Sequence, residues 1–427
     1  MCIEMTTFAR LGLNKTLQTN IKNLGYKKPT YIQEKAIGAV LSGTDTYAIA
    51  PTGTGKTAAY LLPILQELSQ EDHTGDEVRP IRALFLVPTR ELAVQVEESI
   101  GVYGKGLNLR TICLYGGVRI ESQAKRFKRG ADVIVATPKR LIDLLKQKVI
   151  SLADVQHFVM DEADRLVSMG IFDELKNIIA AIPENKQKVL FSATDSKALN
   201  KFKDAHLNRV KVIKGGSIQP ALDKIIHTMY RVHADDKIKH LFELLNMIKT
   251  DRVLIFARTK RDVNFLNKTL NEAGIVSTGI HNEVSQKLRL ERLAGFKNNE
   301  FNCLIATDVV ARGIDISELY YVINFDLPVN SNDYVHRAGR TARTKTTKLQ
   351  TKKVIADKFA KQALSKEIQD NKPPYFDETQ ATSIAKTDIH GHVFSLVAPD
   401  QERLMPLIIK AVGKEILLER TPWRLPK

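Results

Sequence analysis

The sequence predicts an α/β fold in two tandem domains, each a mainly parallel sheet flanked by helices. The chain has 427 residues, which exceeds the roughly 100 to 200 residues of an ordinary domain. Short apolar runs rich in β-branched residues also alternate with longer helical patterns, as expected for parallel strands joined by crossover helices. These runs are 83–87, 132–136, 158–160, 189–192, 253–256, 303–306 and 321–324.

A glycine-rich stretch, residues 214–217, lies between the two series of apolar runs. Pro220 follows it shortly, and such composition is typical of a linker. We therefore expect a first domain at residues 1–214, a linker at 215–222 and a second domain at 223–427.

Residues 344–390 do not follow the strand and helix pattern. They are rich in Lys and Thr, contain Pro373-Pro374 and precede a last strand-like run, 393–397. Apolar residues within them recur every three or four positions, with Lys358 and Lys361 opposite, which indicates a basic amphipathic helix. We interpret this segment as an insertion in the second domain.

The net charge restricts the classes of partner. Lys and Arg total 64 against 48 Asp and Glu, a formal charge of +16. A polyanion such as nucleic acid is a plausible partner, because bound Lys and Arg release its counterions. A solvated basic surface is the alternative that charge by itself leaves open.

The three cysteines, Cys2, Cys113 and Cys303, form no CxxC or His/Cys cluster. This spacing predicts neither a disulfide framework nor a zinc site. No apolar run approaches the roughly 20 residues that span a bilayer, and Glu4 precedes no hydrophobic leader. We expect a cytoplasmic protein with no membrane association.

One segment has the spacing of a phosphate-binding loop at the start of a helix. Glycines there let backbone N–H groups surround phosphates. Lys56 is predicted to reach the β and γ oxygens of ATP, and the Thr57 hydroxyl to ligate Mg²⁺. The alternative, a flexible glycine-rich turn, is disfavoured by the Gly-Lys-Thr triplet beside a helix. The loop comprises Ala50, Pro51, Thr52, Gly53, Thr54, Gly55, Lys56 and Thr57.

An acidic motif, Asp161-Glu162-Ala163-Asp164, follows the apolar run 158–160. The carboxyl end of a parallel strand is where a Mg²⁺ site belongs in an α/β fold. Asp161 is predicted to hold Mg²⁺ and Glu162 to position or deprotonate the attacking water. An exposed helix start is the alternative, but a phosphate loop about 105 residues upstream favours ATP hydrolysis.

With Gly-Tyr-Lys-Lys-Pro-Thr-Tyr-Ile-Gln at residues 25–33, these motifs resemble the DEAD-box ATP-dependent RNA helicases. The resemblance covers nearly the whole chain outside the insertion and implies two RecA-like domains. It implies that Phe8 stacks on adenine, that Tyr26 belongs to the ATP site, and that the Gln33 amide recognises adenine. The chain resembles bacterial RhlE-type members in that its sequence shows no long Arg/Gly- or Ser-rich tails.

The resemblance also implies roles for later motifs of the first domain. Pro-Thr-Arg-Glu-Leu-Ala at 88–93, Gly-Gly at 116–117 and Thr-Pro-Lys-Arg at 137–140 resemble strand-binding elements. Ser-Ala-Thr at 192–194 resembles the element that couples hydrolysis to strand separation, together with the last Asp of the acidic motif. The implied RNA-binding residues are Arg90, Gly117, Thr137 and Arg140, and the implied coupling residues are Asp164, Ser192 and Thr194.

In the second domain, the stretch 281–296 resembles motif IV, 307–315 resembles motif V, and 334–343 resembles motif VI. A guanidinium keeps its charge and can bind two phosphate oxygens at once. The resemblance therefore implies two arginine fingers, Arg340 and Arg343, for the γ-phosphate. It further implies RNA contacts by Arg289 and Thr307, a ribose contact by Asp315 and a coupling role for His336.

The implied function is ATP-dependent, non-processive unwinding of short RNA duplexes or remodelling of RNA–protein complexes. ATP would lie between the domains and the bound strand would cross both, so that closure is coupled to strand binding. The expected partners are single-stranded RNA, short RNA duplexes and RNP or ribosome-assembly factors, with the chain acting as a monomer.

Two alternatives stay open, a DNA-directed helicase and an ATP-gated RNA clamp or scaffold. The insertion also has two interpretations. It is either a surface excursion or a basic extension that binds RNA or a partner.

Overall fold

The structure is a computed structural model that describes residues 7–51, 53–71, 78–215, 222, 224–248, 252–308, 316, 319–341, 391–413 and 416–420. The chain divides into two compact units at about residue 218. Most of the predicted linker and the whole insertion, 344–390, lie outside the described residues.

The first unit is built on a seven-stranded sheet whose pairings are all parallel. Its strand order is β3-β4-β2-β5-β6-β1-β7. The central strands are buried on both faces, which explains their continuous apolar sequences. The strands are β1 Thr46–Ile49, β2 Ala83–Leu86, β3 Thr111–Leu114, β4 Val133–Ala136, β5 His157–Met160, β6 Gln187–Ser192 and β7 Lys211–Lys214.

Helices cover both faces of this sheet, and each face carries its own buried apolar core. A short 3-10 turn at Phe8–Leu11 precedes them, and another at Phe127–Arg129 follows α5. The helices are α1 Lys15–Asn23, α2 Tyr31–Leu41, α3 Lys56–Leu68, α4 Arg90–Tyr103, α5 Ile120–Arg126, α6 Pro138–Lys146, α7 Ala163–Ser168, α8 Phe172–Ala180 and α9 Lys197–His206.

The second unit has another seven-stranded parallel sheet, in the order β10-β11-β9-β12-β13-β8-β14. Its strands are β8 Ile225–Arg231, β9 Val253–Phe256, β10 Ser277–Ile280, β11 Cys303–Ala306, β12 Tyr321–Asn324, β13 Gly391–Val397 and β14 Leu417–Arg420. Its described α-helices are α10 Lys237–Ile248, α11 Lys260–Glu272, α12 Gln286–Lys297, α13 Ser331–Ala338 and α14 Met405–Val412, and 3-10 helices lie at Ala234–Asp236 and Pro399–Leu404.

The two sheets share one connectivity. Counted from its own first strand, each has the order 3-4-2-5-6-1-7. The loops that follow parallel strands meet at one edge of a sheet, and this edge is where α/β folds bind ligands. Each unit therefore has one candidate ligand-binding edge.

The strand predictions were correct where the apolar run is long and buried. The predicted run 393–397 forms most of β13, which pairs in parallel with β12 and β8. The prediction passed over strands with polar or exposed residues, such as β7, which has three exposed positions of four. Among the described residues, none of the helices is both long and apolar enough for a membrane span.

Candidate functional site

The carboxyl edge of the first sheet brings the predicted motifs together in two adjacent groups. The strands β5, β6 and β1 are neighbours, and they lead into the acidic motif, the Ser-Ala-Thr motif and the phosphate loop. The strands β3, β4 and β2 are also neighbours, and they lead into the three predicted strand-binding motifs. One sheet edge thus carries a predicted ATP half and a predicted nucleic-acid half.

The phosphate loop depends on two glycines with left-handed backbone angles. Gly53 has φ 88° and Gly55 has φ 86°, a region that side chains with a Cβ seldom occupy. Gly55 caps the N-terminus of α3, whose first residue is Lys56. The buried Lys56 ammonium donates to the carbonyl oxygen of Ala50 at 2.7 Å. The lysine is therefore held against the loop that it is predicted to serve.

Asp161 is buried at the end of β5. Its Oδ2 accepts a hydrogen bond from the Tyr60 hydroxyl at 2.9 Å, and its Oδ1 accepts one from the Glu162 N–H at 2.8 Å. Burial raises the pKa of Asp161 to about 6, the Lys56 ammonium opposes this rise, and the Glu162 carboxylate adds to it. The net effect of this environment disfavours the charged carboxylate, and a cation bound beside it would favour the charged form.

Glu162 has a strained backbone. Its φ of 48° and ψ of 47° place it in the left-handed region, where it is the N-cap residue of α7. Its carboxylate lies 3.6 Å from the Arg165 guanidinium. A non-glycine residue in this region costs roughly 1 to 3 kcal/mol and is commonest at functional sites. The Glu162 side chain makes no capping hydrogen bond to α7, so capping of that helix does not account for its left-handed backbone.

Asp164 joins the acidic motif to the Ser-Ala-Thr motif. Its Oδ2 accepts from the Thr194 hydroxyl at 2.6 Å and from the Thr194 N–H at 3.1 Å. The Ser192 hydroxyl donates to the Thr194 carbonyl oxygen at 2.6 Å and accepts from the Thr194 N–H at 3.2 Å. The three predicted coupling residues of the first unit therefore form one hydrogen-bonded group.

Gln33 connects the predicted adenine motif to the phosphate loop. It is fully buried on α2, where its Oε1 accepts from the Thr30 N–H at 2.9 Å. Its Nε2 donates to the Gly55 carbonyl oxygen at 3.3 Å, and the Thr30 hydroxyl donates to the Thr54 carbonyl oxygen at 2.8 Å. Both polar ends of the amide thus have protein partners, and recognition of adenine by Gln33 stays a prediction.

The predicted adenine-stacking residue Phe8 packs edge to face with Tyr26, with ring centroids 6.2 Å apart. Phe8 is buried at 7% exposure, and the Tyr26 hydroxyl lies 3.0 Å from the Tyr103 hydroxyl. Stacking of Phe8 on a base stays a prediction, because its ring already contributes to the core of this face.

Arg90 and Gly117 lie in direct contact in the predicted nucleic-acid half. Arg90 begins α4, and its Nη1 lies 2.0 Å from where a Cβ on Gly117 would be. Gly117 has φ 88°, so it provides both the turn and the space for the guanidinium. Thr137, the N-cap residue of α6, donates its N–H to the Leu114 carbonyl oxygen at 2.9 Å. These loops are therefore packed on one another.

Arg140 and Arg289 have positions that differ from the expected surface contact. Arg140 is buried and donates to the Val118 carbonyl oxygen at 2.8 Å and to the Gln123 side chain at 2.5 Å. Arg289 is also buried and donates to the carbonyl oxygens of His281 and Val284, both at 3.3 Å. Both guanidinium groups support loops from beneath, because α6 and α12 bring them under those loops. A direct RNA contact stays a prediction for each.

In the second unit, the structure reveals a residue that the sequence interpretation passed over. Arg337 on α13 binds both carboxylate oxygens of Asp308, each at 2.6 Å. It also donates to the Asn324 side chain at 2.8 Å and to the Asp326 carbonyl oxygen at 2.7 Å. The position of Arg337 within motif VI could have indicated a role, but the sequence analysis assigned functions only to Arg340 and Arg343 among the arginines of this motif.

A second buried network surrounds the Asp326 side chain. Lys237 donates to Oδ1 at 2.8 Å, and Gln401 Nε2 donates to the same atom at 3.1 Å. The Arg258 N–H donates to Oδ2 at 3.0 Å. Burial alone would raise the pKa of Asp326, but Lys237 and these hydrogen bonds lower it below its ordinary value. Asp326 thereby positions the loop after β9, and sequence spacing offered no signal for this contact.

The structure describes only some of the remaining residues that were predicted for the site in the second domain. Thr307 is buried directly after β11, and Arg340 is buried after α13. His336 lies on α13 and is half-buried. Asp315 and Arg343 lie outside the described residues, as does Thr52 of the phosphate loop.

Comparisons with known proteins identify the family of the chain. The family model for DEAD/DEAH box helicases matches residues 30–202, and that for the helicase conserved C-terminal domain matches residues 236–345. The structure of S. cerevisiae Dbp5 bound to RNA and ADP BeF3 is similar to this chain, with TM-score 0.76 and 26% sequence identity. The alignment covers 97% of this chain and 96% of the Dbp5 chain.

Two bacterial relatives are similar in sequence. The DEAD-box ATP-dependent RNA helicase CshA of Geobacillus kaustophilus is 35% identical over 88% of this chain and 80% of its own. CshA of Streptococcus pneumoniae serotype 4 is 38% identical over 78% of this chain, which spans 62% of that relative's length. The RhlE-like assignment stays a prediction. The sequence motifs, the two RecA-like sheets and these relatives together show that the chain belongs to the DEAD-box ATP-dependent RNA helicase family.

Proposed function

We propose that this protein is an ATP-dependent RNA helicase that locally unwinds RNA duplexes or remodels RNA–protein complexes without processive movement. The observation that carries this proposal is the hydrogen-bonded group of Asp164, Ser192 and Thr194. It joins the acidic motif, beside the phosphate loop, to the end of β6. The ATP half and the nucleic-acid half share this sheet edge, so a change at one reaches the other through short, packed loops.

In the proposed ATP site, the phosphate loop from Ala50 to Thr57 holds the triphosphate. Lys56 binds its β and γ oxygens, and Gln33 recognises adenine together with Phe8 and Tyr26. Gln33 supports this assignment because its amide also contacts the Gly55 carbonyl oxygen. Base recognition and phosphate binding thereby involve one connected segment.

The residues near Asp161 fit a Mg²⁺ ion. Its carboxylate is buried, its pKa is raised by that burial to about 6, and Lys56 partly offsets the rise. Hard oxygen donors of this kind are what Mg²⁺ prefers, and Thr57 supplies a hydroxyl one residue into α3. Asp161 and Thr57 would hold the ion, which neutralises developing phosphate charge when bound.

Glu162 is the proposed general base. Its left-handed backbone places the carboxylate directly after the buried Asp161 and beside Arg165. It orients or deprotonates the water that attacks the γ-phosphate. Arg340 and Arg343 are proposed to bind the γ-phosphate oxygens, Asp315 the ribose, and His336 to link this group to the bound strand.

The proposed RNA path uses phosphate contacts. Arg90 and Gly117 supply a guanidinium and a backbone turn, and Thr137 begins α6 beside them. In the second unit Thr307 is a proposed contact. Arg140 of the first unit and Arg289 of the second are buried beneath loops, and we retain them as proposed RNA-binding residues. RNA as a substrate is supported by the Dbp5 complex and by the names of the bacterial relatives. We further propose a cytoplasmic monomer whose RNP or ribosome-assembly partners select the substrate.

ATP hydrolysis with single-stranded RNA, with single-stranded DNA and without nucleic acid tests the proposal. We expect strong stimulation by RNA and a loss of about 10² to 10⁴ in kcat for Glu162→Gln, because a positioned general base contributes that much. RNA binding with a non-hydrolysable ATP analogue should be retained in the variant and serves as its folding control.

Other outcomes would select an alternative. Equal stimulation by DNA would favour a DNA-directed helicase. RNA binding that depends on ATP, with hydrolysis too slow to unwind a duplex, would favour a clamp or scaffold. Full activity of Glu162→Gln would refute the base assignment.

A further inference from the structure

The positive charge of the first unit is concentrated in one segment. Residues 105–148 contain eleven Lys and Arg but only three Asp and Glu, whereas the rest of residues 1–218 contains twenty of each sign. One of those three acids, Asp132, is buried and paired with Arg79 and Arg82. The segment therefore carries all of the net charge of the first unit, and most of it is not compensated locally.

Four of these basic residues lie on α5 and the 3-10 turn that follows it, and a fifth is the N-cap residue of α5; all five are exposed. Arg126 contacts Glu97 at 3.3 Å. Arg119, Lys125 and Lys128 have no ion pair with any acid in the described part of the chain. We call these residues the α5 basic patch: Arg119, Lys125, Arg126, Lys128 and Arg129.

The patch is held in a fixed place. Ile120 and Phe127 pack on the core beneath α5, and the buried Gln123 accepts from Arg140 and donates to the Tyr115 carbonyl oxygen at 3.3 Å. These contacts attach one side of α5 to the predicted strand-binding loops. The charged side is left facing solvent along roughly 16 Å, at about 1.5 Å per helical residue and about 2 Å per 3-10 residue.

The patch also continues from a predicted RNA contact. Gly117, which lies against Arg90, is two residues before Arg119, the first residue of the patch. The strand before it, β3, is the edge strand of the sheet. An RNA strand that leaves the Gly117 loop on this side would therefore meet exposed guanidinium and ammonium groups rather than another element of the sheet.

We propose that the α5 basic patch binds the phosphates of RNA that flanks the strand held at the Gly117 loop. The patch extends the RNA path past the edge strand and raises affinity for longer RNA without reading its sequence. Like charges three and four residues apart are unfavourable on an isolated helix, and bound phosphates relieve that repulsion. This inference rests on the proposed RNA-dependent function.

The test variant is Arg119→Gln, Lys125→Gln and Lys128→Gln in the full chain. Glutamine keeps an exposed polar side chain of moderate length, and none of the three positions has a catalytic role. The matched control is Lys197→Gln, Lys201→Gln and Lys211→Gln, which removes the same charge from exposed positions on α9 and on β7 at the opposite edge of the sheet.

The measurement is RNA affinity by fluorescence anisotropy over a series of salt concentrations with a non-hydrolysable ATP analogue. Single strands of about 8 and about 30 nucleotides bracket the site sizes usual for such grooves. For the longer RNA we expect the salt dependence, log K against log salt, to lose about 2 in slope, since each single-strand contact contributes roughly 0.7. Affinity at low salt should fall on the order of tenfold. The control and the short RNA should not change.

Each other outcome overturns the proposal. The same slope in test and control variants would show that the patch does not bind RNA. An equal loss on short and long RNA would place these residues in the central strand site instead of an extension. Wild-type protein that binds no RNA of either length would refute the proposed function itself, a result distinct from both, since it appears before any substitution.

Discussion

The Asp164 carboxylate accepts two hydrogen bonds from Thr194, one from its hydroxyl at 2.6 Å and one from its N–H at 3.1 Å. Asp164 is the second residue of α7, which follows β5, and Thr194 follows β6, the neighbouring strand of the sheet. The two residues are 30 positions apart in the chain, so only the parallel packing of β5 and β6 makes them partners. The contact is a physical route by which the position of the acidic motif affects the next loop.

Removal of the Thr194 hydroxyl should uncouple hydrolysis from strand separation. Thr194→Val keeps the shape and the backbone N–H but leaves Asp164 without one charge-assisted hydrogen bond, worth roughly 1.5 to 3 kcal/mol. We expect RNA-stimulated ATP hydrolysis within about threefold of wild type and duplex unwinding lower by about tenfold or more, as that energy predicts. Thr194→Ser retains the donor and should unwind normally. Parallel losses of both activities in Thr194→Val would argue for a purely structural role.

Neutralisation of Asp161 should stabilise the protein while abolishing hydrolysis. Burial raises its pKa from an ordinary 3.8 to about 6, so between about pH 4 and 6 the folded protein binds more protons than the unfolded chain. Stability contributed by this residue therefore falls as pH rises through that window. Asp161→Asn avoids this cost and should be more stable near pH 7, by at most about 3 kcal/mol.

Urea unfolding without nucleotide, at several values between pH 4 and 7, measures this effect. The advantage of Asp161→Asn should shrink as the pH falls and be nearly absent at about pH 4. If the extra stability of Asp161→Asn does not depend on pH, then packing, rather than burial of the Asp161 charge, causes the difference in stability between the variant and the wild type.

A methyl group at Gly117 should weaken RNA binding. Its Cβ would lie 2.0 Å from Arg90 Nη1, and its φ of 88° is unfavourable for alanine, by roughly 1 to 2 kcal/mol. Gly117→Ala therefore displaces the guanidinium, and RNA affinity should fall by about tenfold, the equivalent of one such contact. Gly116→Ala is the matched control, because its Cβ would lie 3.4 Å from Arg90 and its backbone has no positive φ. If the two variants bind RNA with equal affinity, then Arg90 does not contact the bound RNA.

Loss of Arg337 should destabilise the second unit. Arg337→Gln removes the two-pronged ion pair with Asp308 and the contacts to Asn324 and the Asp326 carbonyl oxygen. A fully buried ion pair broken in this way costs about 3 to 5 kcal/mol, and because the Asp308 side chain is 26% exposed, we expect a loss below that range but above about 1 kcal/mol, roughly 2 kcal/mol. Arg261→Gln, at an exposed position on α11, should change stability by less than about 0.5 kcal/mol.

Hydrogen–deuterium exchange resolved by peptide would locate this effect. Peptides from β11 and β12 should exchange faster in Arg337→Gln, and those from the first unit should not. Unchanged exchange in β11 and β12 would show that the Asp308 pair contributes little to the second unit.

The sequence by itself determined the fold class, most buried strands and the chemistry of the local motifs. Long apolar runs such as 253–256 and 303–306 coincide with β9 and β11, because hydrophobic periodicity is a property of neighbouring residues. The phosphate loop was predictable for the same reason, since its glycines and Lys56 act within eight consecutive residues.

Tertiary structure decided which residues share a contact and which are hidden. Arg140 and Arg289 belong to motifs that suggested surface contacts, yet both are buried under loops. The partners of Arg337 and Asp326 come from strands and helices up to 89 residues away. The physical reason is that the order of strands in a parallel sheet, not distance along the chain, brings side chains together at its carboxyl edge.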